Sequence, residues 1–165
     1  MGDYGARQLI PRFSSRTFKW DAKTATYRIA LDDGLRKVLG ELMSQLLALL
    51  DDPGAPVMQR LFPPAYNQPT DLDRQEEYRR LMQDDLVERH RDECRTVIAS
   101  LSGTSLGEEQ MLAWVKAVNS MRLVLGTYLD VQEDDRPRKP ETPEESAYLW
   151  LSFLLEESVE ALSHK

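Results

Sequence analysis

The residues of this chain best suited to chemistry are Asn119 and Arg122, which lie in the middle of a largely apolar stretch from Met111 to Leu129. Drawn as a helix, that stretch has no continuous polar face, and a helix of this kind is normally buried. An arginine keeps its proton even in a core, so a buried one needs an acidic partner and filled hydrogen bonds. The sequence therefore predicts a charge network inside a helical core.

Carboxylates for this network are available on the helix that the sequence predicts before it, at about residues 71–101. We expect Asp85 to pair with Arg122, because Asp85 falls among the apolar residues of a helical seam, and Glu77 is the second choice. Arginine can hold a carboxylate in a two-pronged pair, and breaking such a pair in a core typically costs about 3–5 kcal/mol. The network is interpreted as structural, with a part in a binding site as the alternative.

Other reactive residue types are present without a motif that would organise them. His90 and Cys94 stand four residues apart and share a predicted helix face, with Glu88 or Glu93 as further ligands, but structural zinc usually takes four ligands, mostly Cys and His. The sequence contains no GxSxG elbow, no Walker loop and no GxGxxG fingerprint. We therefore expect a protein that is not an enzyme and that has no metal site and no cofactor.

Hydrophobic periodicity predicts a mainly α-helical fold, a bundle of three to four long helices preceded by a short β-hairpin. The hairpin is expected at residues 16–31. Asp32 or Asp33 can cap the first helix, Ser105 with Glu108 forms a capping box for the third, and Thr142-Pro143 opens the last. Gly126 suits the position just beyond the end of the third helix. The expected helices cover residues 33–50, 71–101, 105–125 and 143–162.

The domain organisation follows from the same pattern. Residues 1–12 are expected to form a flexible N-terminus, and residues 13–165 a single helical domain. The acidic, proline-bearing stretch at residues 130–142 is expected to be a mobile loop.

The charge, the apolar runs and the cysteine content of the sequence indicate what the protein binds and where it is located. The net charge of −7 is uneven, since residues 1–28 carry six basic and two acidic side chains, and the acidic remainder makes nucleic-acid binding unlikely. No apolar run is long enough to cross a membrane and no signal peptide is evident, so a cytoplasmic location is expected. Cys94 is the only cysteine, which leaves a bridge between two chains as the one disulfide option.

The last predicted helix carries more large apolar side chains than one helix face can hide. Such an excess means either that the helix is enclosed by the fold or that it meets another chain. We expect a homodimer, since tryptophan often dominates interfaces. The candidate interface residues are Trp114, Trp150, Phe153 and Leu154.

Four segments together resemble the actinobacterial AosR-like family, long catalogued as a domain of unknown function. Their order and spacing carry the resemblance, which spans about residues 13–162. The segments are Arg60-Leu61-Phe62-Pro63-Pro64-Ala65-Tyr66, Glu77-Tyr78-Arg79-Arg80-Leu81 with Asp85-Leu86, Asn119-Ser120-Met121-Arg122-Leu123-Val124-Leu125-Gly126-Thr127, and Tyr148-Leu149-Trp150-Leu151.

The resemblance implies a helical, stress-linked transcriptional regulator that acts through a protein partner such as a sigma factor. It also implies an alternative, an accessory factor of Clp-dependent proteolysis, because family members are encoded near the Clp adaptor. A direct DNA-binding regulator is a third hypothesis, supported by the basic residues 1–28 alone. The family's redox switch uses closely spaced cysteines, and here Cys94 has no neighbour, so a thiol switch within one chain is ruled out.

Overall fold

The computed structural model describes residues 16–63 and 72–165. The described residues form four α-helices, a three-stranded antiparallel sheet and one short 3-10 turn, which confirms the predicted mainly helical fold with an N-terminal hairpin. The predicted flexible N-terminus at residues 1–12 lies outside the described residues. In chain order the elements are β1 (Phe18–Asp21), β2 (Thr26–Ile29), α1 (Asp33–Leu49), the 3-10 turn (Pro56–Met58), α2 (Leu72–Ser100), β3 (Ser105–Leu106), α3 (Glu108–Tyr128) and α4 (Pro143–Ser163).

The sheet has the strand order β1-β2-β3, and its third strand was not predicted. Tyr27 of β2 lies opposite Leu106 of β3, and both side chains are fully buried. A hairpin of two strands is marginally stable in water, so the third strand and the helix face beneath supply the missing support. Phe18 of β1 meets the ring of Trp114 edge to face at 5.9 Å.

The starts of α1 and α4 follow the predicted capping chemistry. The Asp32 side chain accepts a hydrogen bond from the Leu35 N–H at 2.8 Å, and the Thr142 hydroxyl accepts one from the Glu145 N–H at 3.1 Å. Pro143 occupies the first turn of α4, where its missing N–H costs nothing. Local side-chain chemistry therefore determines both helix starts.

The start of α3 differs from the prediction. Ser105 pairs with Arg28 in the sheet and so cannot cap the helix, which begins at Glu108 with Gly107 as its N-cap. The Gln110 side chain accepts the Gly107 N–H at 2.9 Å, so one of the unpaired amides at this helix start is satisfied from within the first turn.

The end of α3 also lies beyond the predicted position. Gly126 is inside the helix, and the left-handed residue after the end is Asp130, with a φ of 55°. The Asp130 N–H donates to the Thr127 carbonyl and the Val131 N–H to the Gly126 carbonyl, which is the Schellman pattern. This turn directs the chain into the connection between α3 and α4.

The core lies between the sheet and the four helices. α3 is the central element, because nine of its residues are buried and it contacts α1, α2, α4 and the sheet. α2 packs mainly through its C-terminal part, where Cys94 and Val97 are fully buried. The guanidinium of Arg36 on α1 donates to the carbonyls of Leu101 and Gly103, so it ties α1 to the end of α2. No helix among the described residues is both long enough and apolar enough to cross a membrane.

Candidate functional site

A cleft of about 960 Å³ opens where the α3–α4 connection folds over the junction of these two helices. We call it the Arg122 cleft. It has charged side chains of both signs and an apolar wall. Its lining residues are Arg60, Arg122, Leu123, Leu129, Asp130, Val131, Gln132, Glu133, Asp135, Arg136, Pro137, Arg138, Pro140, Glu145, Tyr148 and Leu149.

Arg122 is half-buried and is held in position by α4. Its Nε donates to the Ser152 hydroxyl at 3.0 Å, and that hydroxyl donates in turn to the Tyr148 carbonyl at 2.9 Å. The Arg122 guanidinium carbon lies 5.5 Å from the centre of the Tyr148 ring, within the range of a cation–π contact. One helical turn of α4 therefore fixes the orientation of the guanidinium.

The predicted carboxylate partner of Arg122 was wrong. Asp85 and Glu77 are exposed on α2, and no carboxylate whose side chain the structure describes lies within ion-pair distance of Arg122. The physical reason is that Arg122 faces the junction with α4, where its charge reaches the cleft and needs no buried partner. Asn119 is half-buried one turn earlier on α3, and its side chain has no hydrogen-bond partner within the described part of the chain.

Arg60 lines the cleft next to the turn at the end of α3. Its Nη2 donates to the Val131 carbonyl at 2.6 Å. Gly126 leaves the space for this approach, since a Cβ there would lie 2.7 Å from Arg60 Nη1 and 3.2 Å from a ring carbon of Tyr148. Gly126 therefore allows this close packing inside α3, and it does not lie just beyond a helix end as predicted.

Two acidic residues of the cleft lining, Glu145 and Asp135, already accept hydrogen bonds from the connection between α3 and α4. Glu145 accepts the Glu141 N–H at 2.7 Å and pairs with Arg138 at 2.9 Å. The Glu141 N–H is the main cause that lowers the pKa of Glu145 below its ordinary value, and the charge of Arg138 adds to it. Asp135 accepts the Gln132 N–H at 2.8 Å. The connection between the helices thus has defined internal hydrogen bonds.

A second polar cluster surrounds His90 on α2. The Ser120 hydroxyl lies 3.3 Å from His90 Nδ1, and a Glu93 carboxylate oxygen lies 3.4 Å from the same nitrogen. A serine–histidine–acid relay needs the serine and the acid on opposite ring nitrogens, so this arrangement does not form one. The ring of Phe62 packs edge to face on His90 at 5.7 Å.

The metal site considered at His90 has no complete set of ligands among the described residues. Among the described residues, no three histidine, cysteine, aspartate or glutamate side chains are grouped closely enough to hold an ion. Cys94 is fully buried, and burial, with a smaller effect from the Glu93 carboxylate, raises its pKa to about 12. The suggested bridge between two Cys94 residues is therefore wrong for the folded chain, because the sulfur is neither exposed nor ionised.

The candidate interface residues on α3 and α4 are mostly inside the molecule. Trp114 and Leu154 are fully buried and Trp150 is 2% exposed, so these three cannot anchor a contact with another chain, while Phe153 is half-buried. The Trp114 indole N–H donates to Ser100 at 2.8 Å. The excess of apolar residues on α4 is absorbed because the sheet and α3 cover the helix from more than one side. Among the residues that the structure describes, the large apolar side chains that are exposed are Tyr78, Leu81, Met82, Ile98, Leu112, Tyr128, Leu149 and Val159.

Sequence reasoning missed three residues that build the cleft, namely Arg60, Tyr148 and Ser152. Tyr148 and Ser152 are four residues apart and therefore share one face of α4, which was a usable signal. Arg60 lies in an irregular segment, and spacing gave no indication of its role.

Most of the chain matches one family model. Residues 15–162 match the family described as a domain of unknown function, DUF2017, and the chain belongs to this family. No characterised protein and no solved structure matches the chain at a significant level. The family description specifies no activity, so a function has to be inferred from the cleft.

Proposed function

We propose that this protein is a non-enzymatic regulator that acts by binding another protein, and that the Arg122 cleft is the contact site. The observation that carries the proposal is the state of Arg122. Its guanidinium is half-buried and oriented by Ser152 and Tyr148, yet no carboxylate of the described residues neutralises it. A guanidinium that is held in place and has no acidic partner among the described residues is suited to bind a group of another protein.

The residue types of the cleft support this proposal. Arginine and tyrosine are enriched among the residues that contribute most to protein interfaces. Because Ser152 and Tyr148 already restrict Arg122, little side-chain freedom remains to be lost on binding. The rim adds Leu149 and the neighbouring Tyr128, which are 48% and 58% exposed. The cleft thus combines an oriented cation with apolar surface.

The finer identity is also part of the proposal. The resemblance to the AosR-like family supports a cytoplasmic, stress-linked regulator of transcription with a sigma factor or a similar protein as its partner. Because Cys94 is buried, regulation through this partner would not use a thiol. The expected homodimer stays a prediction, and it would have to use exposed residues such as Leu149 and Val159.

Partner capture with matched variants tests the proposal. We expect the tagged protein to retain a specific partner from native extract of the encoding organism, and Arg122→Gln to reduce this retention at least tenfold, about 1.4 kcal/mol. Arg95→Gln is the control, because it removes the same charge from an exposed position that pairs with Asp92 alone. Circular dichroism must show that both variants fold.

Equal retention by the parent and a folded Arg122→Gln variant would contradict the proposal. Arg122→Lys refines the result, since lysine keeps the charge but loses the planar fork. Retention that lysine does not restore would support recognition by the fork, and full restoration would assign the effect to charge alone.

A further inference from the structure

We infer that the Arg122 cleft accepts a carboxylate, an aspartate or glutamate side chain of the partner flanked by apolar residues. The inference rests on the proposed function, in which this cleft binds a protein. It goes further because it specifies the chemical group that Arg122 receives and the neighbours that this group must have.

The first argument concerns the guanidinium nitrogens of Arg122 that remain free to bind a ligand. Its Nε is occupied by Ser152, and its guanidinium carbon lies 5.5 Å from the centre of the Tyr148 ring. The two terminal nitrogens have no hydrogen-bond partner in the part of the chain that the structure describes. An acceptor can therefore approach end-on in the guanidinium plane, where both nitrogens can donate to two oxygens. This is the geometry in which arginine binds a carboxylate.

The second argument concerns charge, and it separates a carboxylate from a phosphate. Asp130, Glu133 and Asp135 also line the cleft, and of these three none forms an ion pair with a described residue. A phosphate monoester carries about −1.5 to −2 charges at neutral pH, so these carboxylates repel it more strongly than they repel a ligand with a single negative charge. The lining also holds Arg60 and Arg136, which form no ion pair with a described residue. Outside the Arg138–Glu145 pair it therefore carries three cations and three carboxylates, and one added negative charge disturbs this balance less than a dianion does.

The third argument is that the start of α4 offers few free backbone amides to a phosphate, because Pro143 has no N–H and the Glu145 N–H is already used. Phosphate groups in proteins commonly bind the free N–H groups at a helix N-terminus, and the start of α4 borders this cleft. There the Glu145 N–H donates to Thr142, and the Glu141 N–H donates to the Glu145 carboxylate. An incoming anion can therefore bind the planar guanidinium of Arg122, but it cannot bind these two N–H groups, which already have acceptors.

The fourth argument is the apolar part of the lining, formed by Leu123, Leu129 and Leu149. These side chains line the same cleft as Arg122 and cannot form hydrogen bonds with a polar neighbour of the bound carboxylate. A segment that places an apolar residue on either side of its acidic residue therefore complements the cleft better than a run of acidic residues, which Asp130 and Glu133 would also repel.

Titration with short probes tests the inference by NMR, with the Arg122 Nε–Hε signal as the readout. The probes are acetyl-Leu-Glu-Leu-amide, its glutamine and phosphoserine counterparts, and inorganic phosphate. We expect the glutamate probe to shift the signal to saturation with a Kd on the order of millimolar, and the glutamine probe to bind at least tenfold more weakly. Ser152→Ala should weaken the glutamate probe several-fold, because it releases Nε, and Arg95→Gln should leave it unchanged.

Three results would overturn the inference. They are equal binding of the glutamine probe, tighter binding of either phosphate-bearing probe, and no shift of the Arg122 signal at about 20 mM glutamate probe. The proposed function is judged separately. Partner retention that depends on Arg122, combined with any of these three results, leaves a protein-binding cleft that recognises something other than a carboxylate.

Discussion

Gly126 is the residue whose substitution tests the geometry of the cleft most directly. It lies inside α3, where alanine is normally more stable than glycine by about 0.8–1.0 kcal/mol. On helix propensity alone, Gly126→Ala should therefore stabilise the protein. The structure predicts the opposite sign, because the new Cβ would lie 2.7 Å from Arg60 Nη1 and 3.2 Å from a ring carbon of Tyr148.

The expected size follows from what must move. Arg60 is exposed and flexible, so its guanidinium can withdraw, but it then loses its bond to the Val131 carbonyl at 2.6 Å. A hydrogen bond of this kind at the surface is worth about 1 kcal/mol, and mild crowding of Tyr148 costs about 1 kcal/mol more. After the gain in propensity, we expect Gly126→Ala to lower the free energy of unfolding by about 1 kcal/mol.

A double-mutant cycle assigns this loss to Arg60. In the Arg60→Ala background the guanidinium is absent, so Gly126→Ala should cost about 0 kcal/mol, and the coupling between the two sites should be about 1 kcal/mol. Urea unfolding of the four proteins, followed by circular dichroism at 222 nm, measures each value. Stabilisation of about 1 kcal/mol by Gly126→Ala in both backgrounds would refute the reasoning.

Three further predictions concern stability and reactivity. With a pKa of about 12, Cys94 should have about a thousandfold lower thiolate fraction at pH 8 than in the unfolded chain; comparable rates of iodoacetamide labelling in native buffer and in urea would contradict this. Ser100→Ala leaves the buried Trp114 N–H without its acceptor and should cost about 1–3 kcal/mol in urea unfolding; an unchanged midpoint would show that the bond contributes nothing. Asp130→Gly should raise the Tm by about 2–4 °C, since glycine adopts the positive φ of 55° without strain; a lower Tm in a thermal scan would count against the assigned turn.

Local signals in the sequence were sufficient for most of the helices. Asp32 and Thr142 define their helix starts because a capping side chain bonds to backbone within its own turn. β3 was missed because it is two residues long and exists through its pairing with Tyr27 and Arg28, which are distant in the chain. Ser105 satisfied a capping pattern, but this pairing with the sheet took precedence.

The length over which α2 packs could not be predicted. Tyr78, Leu81 and Met82 continue the apolar spacing that Cys94 and Val97 belong to, yet they are 65%, 62% and 47% exposed. Periodicity shows which face of a helix is apolar, but it does not show where the neighbouring element stops covering that face. For the same reason, the spacing of residues did not show that the part of α2 with Asp85 does not lie against Arg122.

The cleft was only partly foreseen for a related reason. Arg122 was singled out by its polarity within an apolar helix, and this remains the residue around which the site is built. Its contacts come from Ser152 and Tyr148 on α4 and not from α2, and that choice depends on which helix lies against which face of α3. A glycine such as Gly126 fits a helix end and a close approach equally well, and its role depends on the positions of Arg60 and Tyr148, which sequence spacing does not give.

The position of β3 has a consequence for biosynthesis. The ribosome releases the hairpin early, but the strand that completes its sheet is made only after all of α1 and α2. At about 5–20 residues per second this interval lasts roughly 4–15 seconds. Throughout that time the face bearing Phe18 and Tyr27 has no cover from α3, so the nascent chain is most exposed to aggregation, and most dependent on chaperones, before Leu106 emerges.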